Sequence, residues 1–240
     1  MRRRTRGRSK RAGRPRQGAL AFPNGWGGWR EGAGRKPSGV HVGPRGEARA
    51  GVSHKRKAAH DRRYPVHVTL RLRAGLPSLR RKGEYAVLLG AFESGRERFG
   101  FRLIHFAVLG NHVHLMTEAE DRRAHSRGTQ GLAIRIAKRL NKLWNRRGKV
   151  FADRFHGREL GTPREVRNAL NYLMHNARKH GLRIAPTGPD PYSSGRWFDG
   201  WRDLARDRVW PAPLAAARSW LLRKGWRRWG LIQVGLAGPP

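Results

Sequence analysis

The segment FRLIHFAVLGNHVHLMT, residues 101–117, places the strongest constraint on how this chain folds. Residues 101–109 are almost continuously apolar, and residues 112–117 form a second, shorter apolar stretch. The Gly110-Asn111 pair that separates the two stretches is a turn signal. We therefore predict an antiparallel β-hairpin over this segment.

Two histidines, His112 and His114, flank Val113 in the second strand of this hairpin. Because side chains alternate along a strand, both imidazoles should point to the same face while Val113 packs into the core. Two imidazoles on one face can converge on one divalent metal ion. A His-x-His pair also arises by chance, so two surface or hydrogen-bonded histidines are the alternative interpretation.

Hydrophobic periodicity predicts further strands and helices around the hairpin. Apolar and polar residues alternate from 66 to 72, which indicates a strand with one buried face. A helix should run from the Pro77-Ser78 pair to about residue 98, and residues 150–160 predict one more strand or a bent pair. Antiparallel strands mixed with helices indicate an α+β fold.

A second predicted helix has an apolar face and a basic face. Its apolar face carries Leu132, Ile136, Leu140, Leu143 and Trp144, and its opposite face carries Arg135, Lys138, Arg139, Lys142 and Arg146. The basic face is either a solvated charge surface or a surface that contacts a nucleic-acid backbone. We keep Arg135 and Arg139 as candidate DNA-binding residues.

A third helix is predicted from Thr162, its N-cap, to His180, with Gly181 as the stop signal. Its apolar stripe consists of Val166, Leu170, Leu173 and Ala177. Tyr172 lies off that stripe, in a polar row with Asn168, Asn176 and Lys179. A phenol and an amide oxygen could therefore approach one metal-bound phosphate. A tyrosine with a half-buried ring is the structural alternative.

Composition indicates a nucleic-acid partner. The chain has 53 Lys and Arg residues against 16 Asp and Glu residues, a net charge of +37 that concentrates polyanions. The absence of cysteine excludes disulfides and thiolate metal sites, including zinc fingers with cysteine ligands. No run of about 18 apolar residues and no signal peptide is recognisable, so we expect no membrane association and a cytoplasmic protein.

The two ends of the chain differ in amino-acid composition from its middle. Residues 1–63 are rich in Arg, Gly and Pro, which predicts a disordered basic arm. Two of its segments, with Arg14 and with Arg35 and Lys36, resemble the core of minor-groove-binding AT-hooks, and a non-selective polyanion-binding tail is the alternative. Residues 186–240 form a Trp/Arg-rich extension with an expected helix over 213–229, which either stacks on bases or docks on the core.

The hairpin motif Gly110-Asn111-His112-Val113-His114-Leu115 resembles the two-histidine (HUH) signature of single-tyrosine transposases. The segments His67-Val68-Thr69, Asp153-Arg154-Phe155-His156 and Asn171-Tyr172-Leu173-Met174-His175-Asn176 extend this resemblance to the REP-associated branch of that family. Together they cover roughly residues 64–182, within a catalytic domain that we place at residues 64–185. The chain departs from the family in having Gly110 and Ala177 where proline is usual.

The resemblance implies a ferredoxin-like antiparallel sheet with packed helices and a nicking and joining activity on single-stranded DNA beside REP-like hairpins. It implies Tyr172 as the nucleophile and His112, His114 and Asn176 as ligands of a divalent metal, Mg²⁺ or Mn²⁺. His175 competes with Asn176 for the third ligand position. Arg154 and His156 match a strand that contacts phosphate, and the resemblance is compatible with a homodimer.

Two other classes of function stay open. The first is a catalytically inactive or domesticated protein that binds nucleic acid, for which the charge alone suffices. The second is a rolling-circle replication or conjugation initiator, although such proteins commonly place the tyrosine before the histidines or use a tyrosine pair. In this chain a single candidate tyrosine follows the histidines.

Overall fold

The computed structural model describes residues 41–42, 48–49, 60–204 and 211–235. The chain divides into two compact units, residues 1–50 and residues 51–240. In the first unit, strands β1 (His41–Val42) and β2 (Ala48–Arg49) form an antiparallel pair. The arm expected to be disordered, residues 1–63, is described only at 41–42, 48–49 and 60–63, and Arg14, Arg35 and Lys36, with their predicted DNA contacts, lie outside the described ranges.

The second unit contains a five-stranded antiparallel sheet in the order β4-β5-β6-β3-β7. Its strands are β3 (Val66–Arg71), β4 (Glu97–Arg98), β5 (Phe101–Val108), β6 (His112–Ala119) and β7 (His156–Glu159). Without the short β4, the two inner strands are β3 and β6, with β5 and β7 outside them. Helices follow β3 and β6 along the chain, which is the ferredoxin-like arrangement. The predicted α+β class and the β5–β6 hairpin are confirmed.

Two cores lie on opposite faces of the sheet. Helices α1 (Lys82–Gly95) and α2 (Arg122–Leu143) cover one face, where Val68, Phe92 and Ile136 are fully buried. Helix α3 (Pro163–Lys179) covers the other face with Val166 and Leu170. Thr162 caps α3 with the predicted capping box, and His180 and Gly181 end the helix as expected.

Three details of the predicted elements are wrong. Helix α1 begins at Lys82 rather than near Pro77, because the Leu79 amide donates to the Gly110 carbonyl and ties this segment to the hairpin turn. Leu143, assigned to the apolar face of α2, is 46% exposed at the end of that helix.

The third correction concerns the helix expected over residues 213–229. The structure has a 3-10 turn at Ser194–Trp197, a short helix α4 (Trp220–Arg223) and a second 3-10 turn at Gly225–Trp229. Before α4 the backbone is held by the sheet, since Ala215 donates to Leu103 and the Arg218 and Ser219 amides donate to the Glu118 carboxylate. These partners compete with helix formation.

The C-terminal segment packs on α3, as the docking alternative predicted. Five of its apolar residues are buried in the same core as the apolar stripe of α3: Phe198, Trp201, Leu221, Leu222 and Trp226. Trp220 and Trp229 are about half exposed. Within the described ranges, no helix has the length and apolar character needed to cross a membrane.

Candidate active site

The two predicted metal-ligand histidines lie at the start of the inner strand β6, on the sheet face that α3 covers. In the β3–β6 register, Thr69 pairs with His114 and Arg71 pairs with His112. The alternation of β3 buries Val66, Val68 and Leu70 on the other face, so it directs His67, Thr69 and Arg71 towards the histidines. The candidate site therefore rests on two adjacent strands.

The δ nitrogens of both histidines are occupied by hydrogen-bond partners. His114 Nδ1 lies 3.1 Å from Thr69 Oγ1 and 3.1 Å from His67 Nε2. His112 Nδ1 lies 2.7 Å from Asn111 Oδ1, an arrangement in which the ring donates its proton to the amide oxygen. His114 Nε2 is buried and has no hydrogen-bond partner among the described residues. An Nε2 lone pair with no other partner is what a metal ligand provides.

Tyr172 reaches this cluster from α3. Its ring centroid lies 5.4 Å from that of His114 and 5.9 Å from that of His67, in edge-on orientations. The centroids of His112 and His114 are 4.8 Å apart. The Lys179 ammonium lies 5.5 Å from the centre of the tyrosine ring. The strand with two imidazoles and the helix with the phenol therefore meet at one place.

Asn176 and His175, the two candidates for a third ligand, have different environments. The Asn176 side chain is fully buried, and neither its oxygen nor its nitrogen has a partner in the part of the chain that the structure describes. Both ring nitrogens of His175 lie 3.0 Å from backbone carbonyls, one of Asn171 and one of Gln233. His175 thus contacts the C-terminal segment through Gln233. Of the two candidates, Asn176 is the one whose side-chain oxygen has no hydrogen-bond partner among the described residues.

The imidazoles of His67, His112 and His114 are held in the neutral form. Burial, reinforced by the neighbouring histidines, lowers the pKa of His114 to about 3. Burial and then the charges of His156 and Arg158 lower the pKa of His67 to about 4. The pKa of His112 is also lowered, mainly by burial and secondly by His180. Neutral imidazoles are the form that binds metal ions.

An open cavity of about 470 Å³ adjoins the histidine pair. Its lining includes Thr69, Arg71, His112, His114 and His180. His180, just after the end of α3, stands edge-on to His112 with ring centroids 5.5 Å apart. The cavity gives a polar ligand access to the histidines.

The predicted DNA-binding residues are divided between several places. His156 pairs with Thr69 in the register of β3 and β7, so it lies on the sheet beside the cluster. Arg154 is exposed in the loop that precedes β7. Arg135 and Arg139 lie on α2, on the opposite side of the sheet, where Arg139 donates to Ser94. Those two arginines are therefore not part of this site.

Sequence reasoning gave no role to three residues that the structure adds to the cluster: His67, Thr69 and His180. His67 and Thr69 lie on the polar face of a strand that was recognised. The missing information was the register that pairs Thr69 with His114. His180 was treated only as a helix end, although it directly follows the helix that carries Tyr172.

Fold and site together define a ferredoxin-like sheet protein with a histidine–tyrosine cluster between the sheet and one helix. Among solved structures, one with a similar fold is that of a "REP associates tyrosine transposase bound to a REP hairpin". The TM-score is 0.51 at 18% sequence identity, and the match covers 70% of this chain and 100% of that chain. No protein-family model matches the sequence, and no curated protein matches it. The structural likeness shows a shared fold.

Proposed function

We propose that this protein is a transposase-like DNA endonuclease and strand transferase that cuts single-stranded DNA beside hairpins through a covalent 5′-phosphotyrosine intermediate. The observation that carries the proposal is the position of the Tyr172 ring, 5.4 Å from the ring of His114. The similar fold of a transposase bound to a REP hairpin supports the same class of substrate. The net charge of +37 suits a polyanionic partner.

The residues present fit a divalent metal ion, Mg²⁺ or Mn²⁺. His112 and His114 would hold it through their ε nitrogens, since their δ nitrogens have other partners. Asn176 would supply the third ligand, since burial without a hydrogen bond is costly for an amide unless another group completes it. No group of three His, Asp or Glu side chains within the described ranges forms a metal site, so the proposed set depends on this amide. Bound there, the ion would withdraw charge from a phosphate oxygen.

The reaction assigned to Tyr172 is a phosphoryl transfer. The phenol loses its proton as its oxygen forms a bond to phosphorus, the bond from phosphorus to the 3′ oxygen breaks, and the departing oxygen takes up a proton to become a 3′ hydroxyl. The reverse attack by the hydroxyl of another strand rejoins DNA. Lys179, beside the tyrosine ring, would offset phosphate charge, and His156 and Arg154 would contact the neighbouring backbone.

Binding without cleavage is the second candidate, and the charge of the chain is the observation that favours it. An initiator of rolling-circle replication or conjugation would share the cleavage step and differ in its DNA target. The DNA target distinguishes a transposase-like enzyme from an initiator. A covalent protein–DNA intermediate distinguishes both of these from a protein that only binds DNA.

The test is incubation of the whole protein with labelled single-stranded hairpin DNA from the flanks of its own gene, with and without Mn²⁺ or Mg²⁺. We expect a protein–DNA adduct that survives denaturing electrophoresis, depends on the metal and is lost in Tyr172→Phe. Tyr64→Phe is the matched control. It removes a hydroxyl just before the first residue of β3, whereas the histidine pair adjoins the last residues of that strand, so the adduct should stay intact. An adduct in Tyr172→Phe would refute the nucleophile, and retention of binding with no adduct in any variant would favour the binding protein.

A further inference from the structure

A second cavity, of about 510 Å³, lies between α2 and the turn that joins β4 to β5. Phe101 and Leu132 line it, and both belong to the core that α1 and α2 form on the sheet. The histidine–tyrosine cluster lies on the other face, under α3. This groove is therefore separate from the candidate active site.

The rim of the groove is strongly basic. Arg98, Arg123, Arg127 and Arg135 line it. None of the four forms an ion pair with a carboxylate of the described residues. The one carboxylate in the lining, that of Asp121, accepts a hydrogen bond from the Ala124 amide as the cap of α2. Most of the cationic charge in the groove is left for a ligand to balance.

Neighbouring arginines make the charge on Arg135 less favourable. Burial lowers its pKa, and the charges of Arg98 and Arg139 lower it further. A folded protein that gathers like charges without a counter-ion is less stable for it, and an anion bound in the groove would reverse this effect.

An aromatic ring stands beside the cations. Phe99 is 91% exposed and lines the groove at the tip of the β4–β5 turn. Its backbone has a φ of 49°, a left-handed conformation that costs a non-glycine residue about 1 kcal/mol or more. The Arg98 guanidinium lies 5.6 Å from the ring centre. An exposed phenylalanine at a strained position adds little to folding, and its open face suits a ligand with a flat ring.

We propose that this groove binds a single-stranded nucleic acid segment, with the arginines on its phosphates and one unpaired base stacked on Phe99. Basic grooves with aromatic platforms bind single strands in this way, because every base offers a flat face. A duplex presents no free base face, and an acidic peptide has no ring to stack. The inference does not rest on the reaction at Tyr172.

The experiment uses the whole Tyr172→Phe protein without divalent metal, so that strand cleavage plays no part. The probe is an oligothymidylate that carries one 5-iodouracil base, which forms a photochemical crosslink to a ring in contact with it. We expect mass spectrometry to place the crosslink on Phe99. Trp229→Ala removes a different aromatic ring, one that is half exposed, and should leave that crosslink unchanged.

Affinity measured by fluorescence anisotropy then separates stacking from charge. Phe99→Leu should weaken binding of the oligothymidylate about 5-fold or more, and Phe99→Trp should restore it. The double change Arg123→Gln, Arg127→Gln should lower the slope of log affinity against log salt by about 0.7 per lost phosphate contact. As a control, Arg147→Gln changes an exposed arginine beyond α2 and should leave the crosslink yield at Phe99 unchanged.

Three results would overturn the inference. One is a crosslink map that spreads over the basic surface and omits Phe99. Another is an unchanged affinity in Phe99→Leu. The third is equal competition by an abasic oligonucleotide of the same length, which keeps the phosphates and would show that charge alone accounts for binding.

Discussion

Glu118→Gln should be one of the most damaging single substitutions for the stability of this protein. The Glu118 side chain is fully buried in β6 and accepts hydrogen bonds from the Arg218 amide at 2.8 Å and the Ser219 amide at 2.9 Å. It also pairs with the buried Arg102 at 3.3 Å. Removing one partner of a buried ion pair typically costs about 3–5 kcal/mol, because the other charge is left uncompensated. The glutamine keeps one carbonyl oxygen, so we expect the lower part of that range.

Urea unfolding measures this effect. With an m-value of about 2 kcal/mol/M, a loss of about 3 kcal/mol lowers the midpoint by about 1.5 M. Limited trypsin digestion at Arg223 and Lys224 should also become faster, because the substitution releases the neighbouring backbone at Arg218 and Ser219. Glu97→Gln is the matched control: its exposed pair with Arg218 should be worth at most about 1 kcal/mol. Equal midpoints for the two variants would refute the role given to the buried carboxylate.

Three other outcomes are expected. Gly128→Ala should lose about 1–3 kcal/mol of stability, because the new methyl group meets the buried ring of β5, whereas Gly131→Ala on the same helix meets nothing within 4 Å and should gain up to about 1 kcal/mol in urea unfolding. Burial lowers the pKa of His105 to about 4, so below about pH 6.5 the unfolded chain binds a proton that the folded protein does not; stability should fall by up to about 3 kcal/mol between pH 6.5 and 4, and His105→Gln should remove that part of the pH dependence. Thr69→Val should remove the hydroxyl beside His114 Nδ1 and raise the Mn²⁺ concentration for half-maximal adduct formation about 10- to 100-fold, with little change at saturating metal; an unchanged requirement would contradict an orienting role for the hydroxyl.

The features that the sequence predicted well depend on residues that are close together in the sequence. The β5–β6 hairpin follows from two apolar stretches around Gly110-Asn111, and α3 follows from a capping box next to an amphipathic stripe. The choice of Asn176 over His175 also used only helical geometry. That choice stays a prediction; in the structure the His175 ring contacts backbone carbonyls, and both polar atoms of Asn176 are unpartnered among the described residues.

The features that were missed depend on partners distant in sequence. The helix expected over residues 213–229 had suitable residues, but its first half is held by Glu118, about a hundred positions earlier. The contact between Thr69 and His114 depends in the same way on strand register, which no local pattern encodes. No local sequence pattern distinguishes Phe99, whose left-handed backbone and exposure appear only in the folded turn.

The C-terminal segment contacts α3, the helix that carries the candidate nucleophile Tyr172. Helix α3 packs against both the sheet and this segment, since Val166 and Leu170 share a core with Met116 of β6 and Trp226 of the tail. Hydrogen bonds from Arg167 to the Gly230 carbonyl and between His175 and the Gln233 carbonyl hold the far side of the helix. A helix held on both sides can keep a phenol at a fixed distance from a histidine pair on the sheet, as transfer to phosphorus would require. The Trp-rich extension is thus packed against the Tyr172 helix, and Glu118 holds this extension at Arg218 and Ser219, so we expect loss of that carboxylate to disturb the position of Tyr172 as well as the stability of the fold.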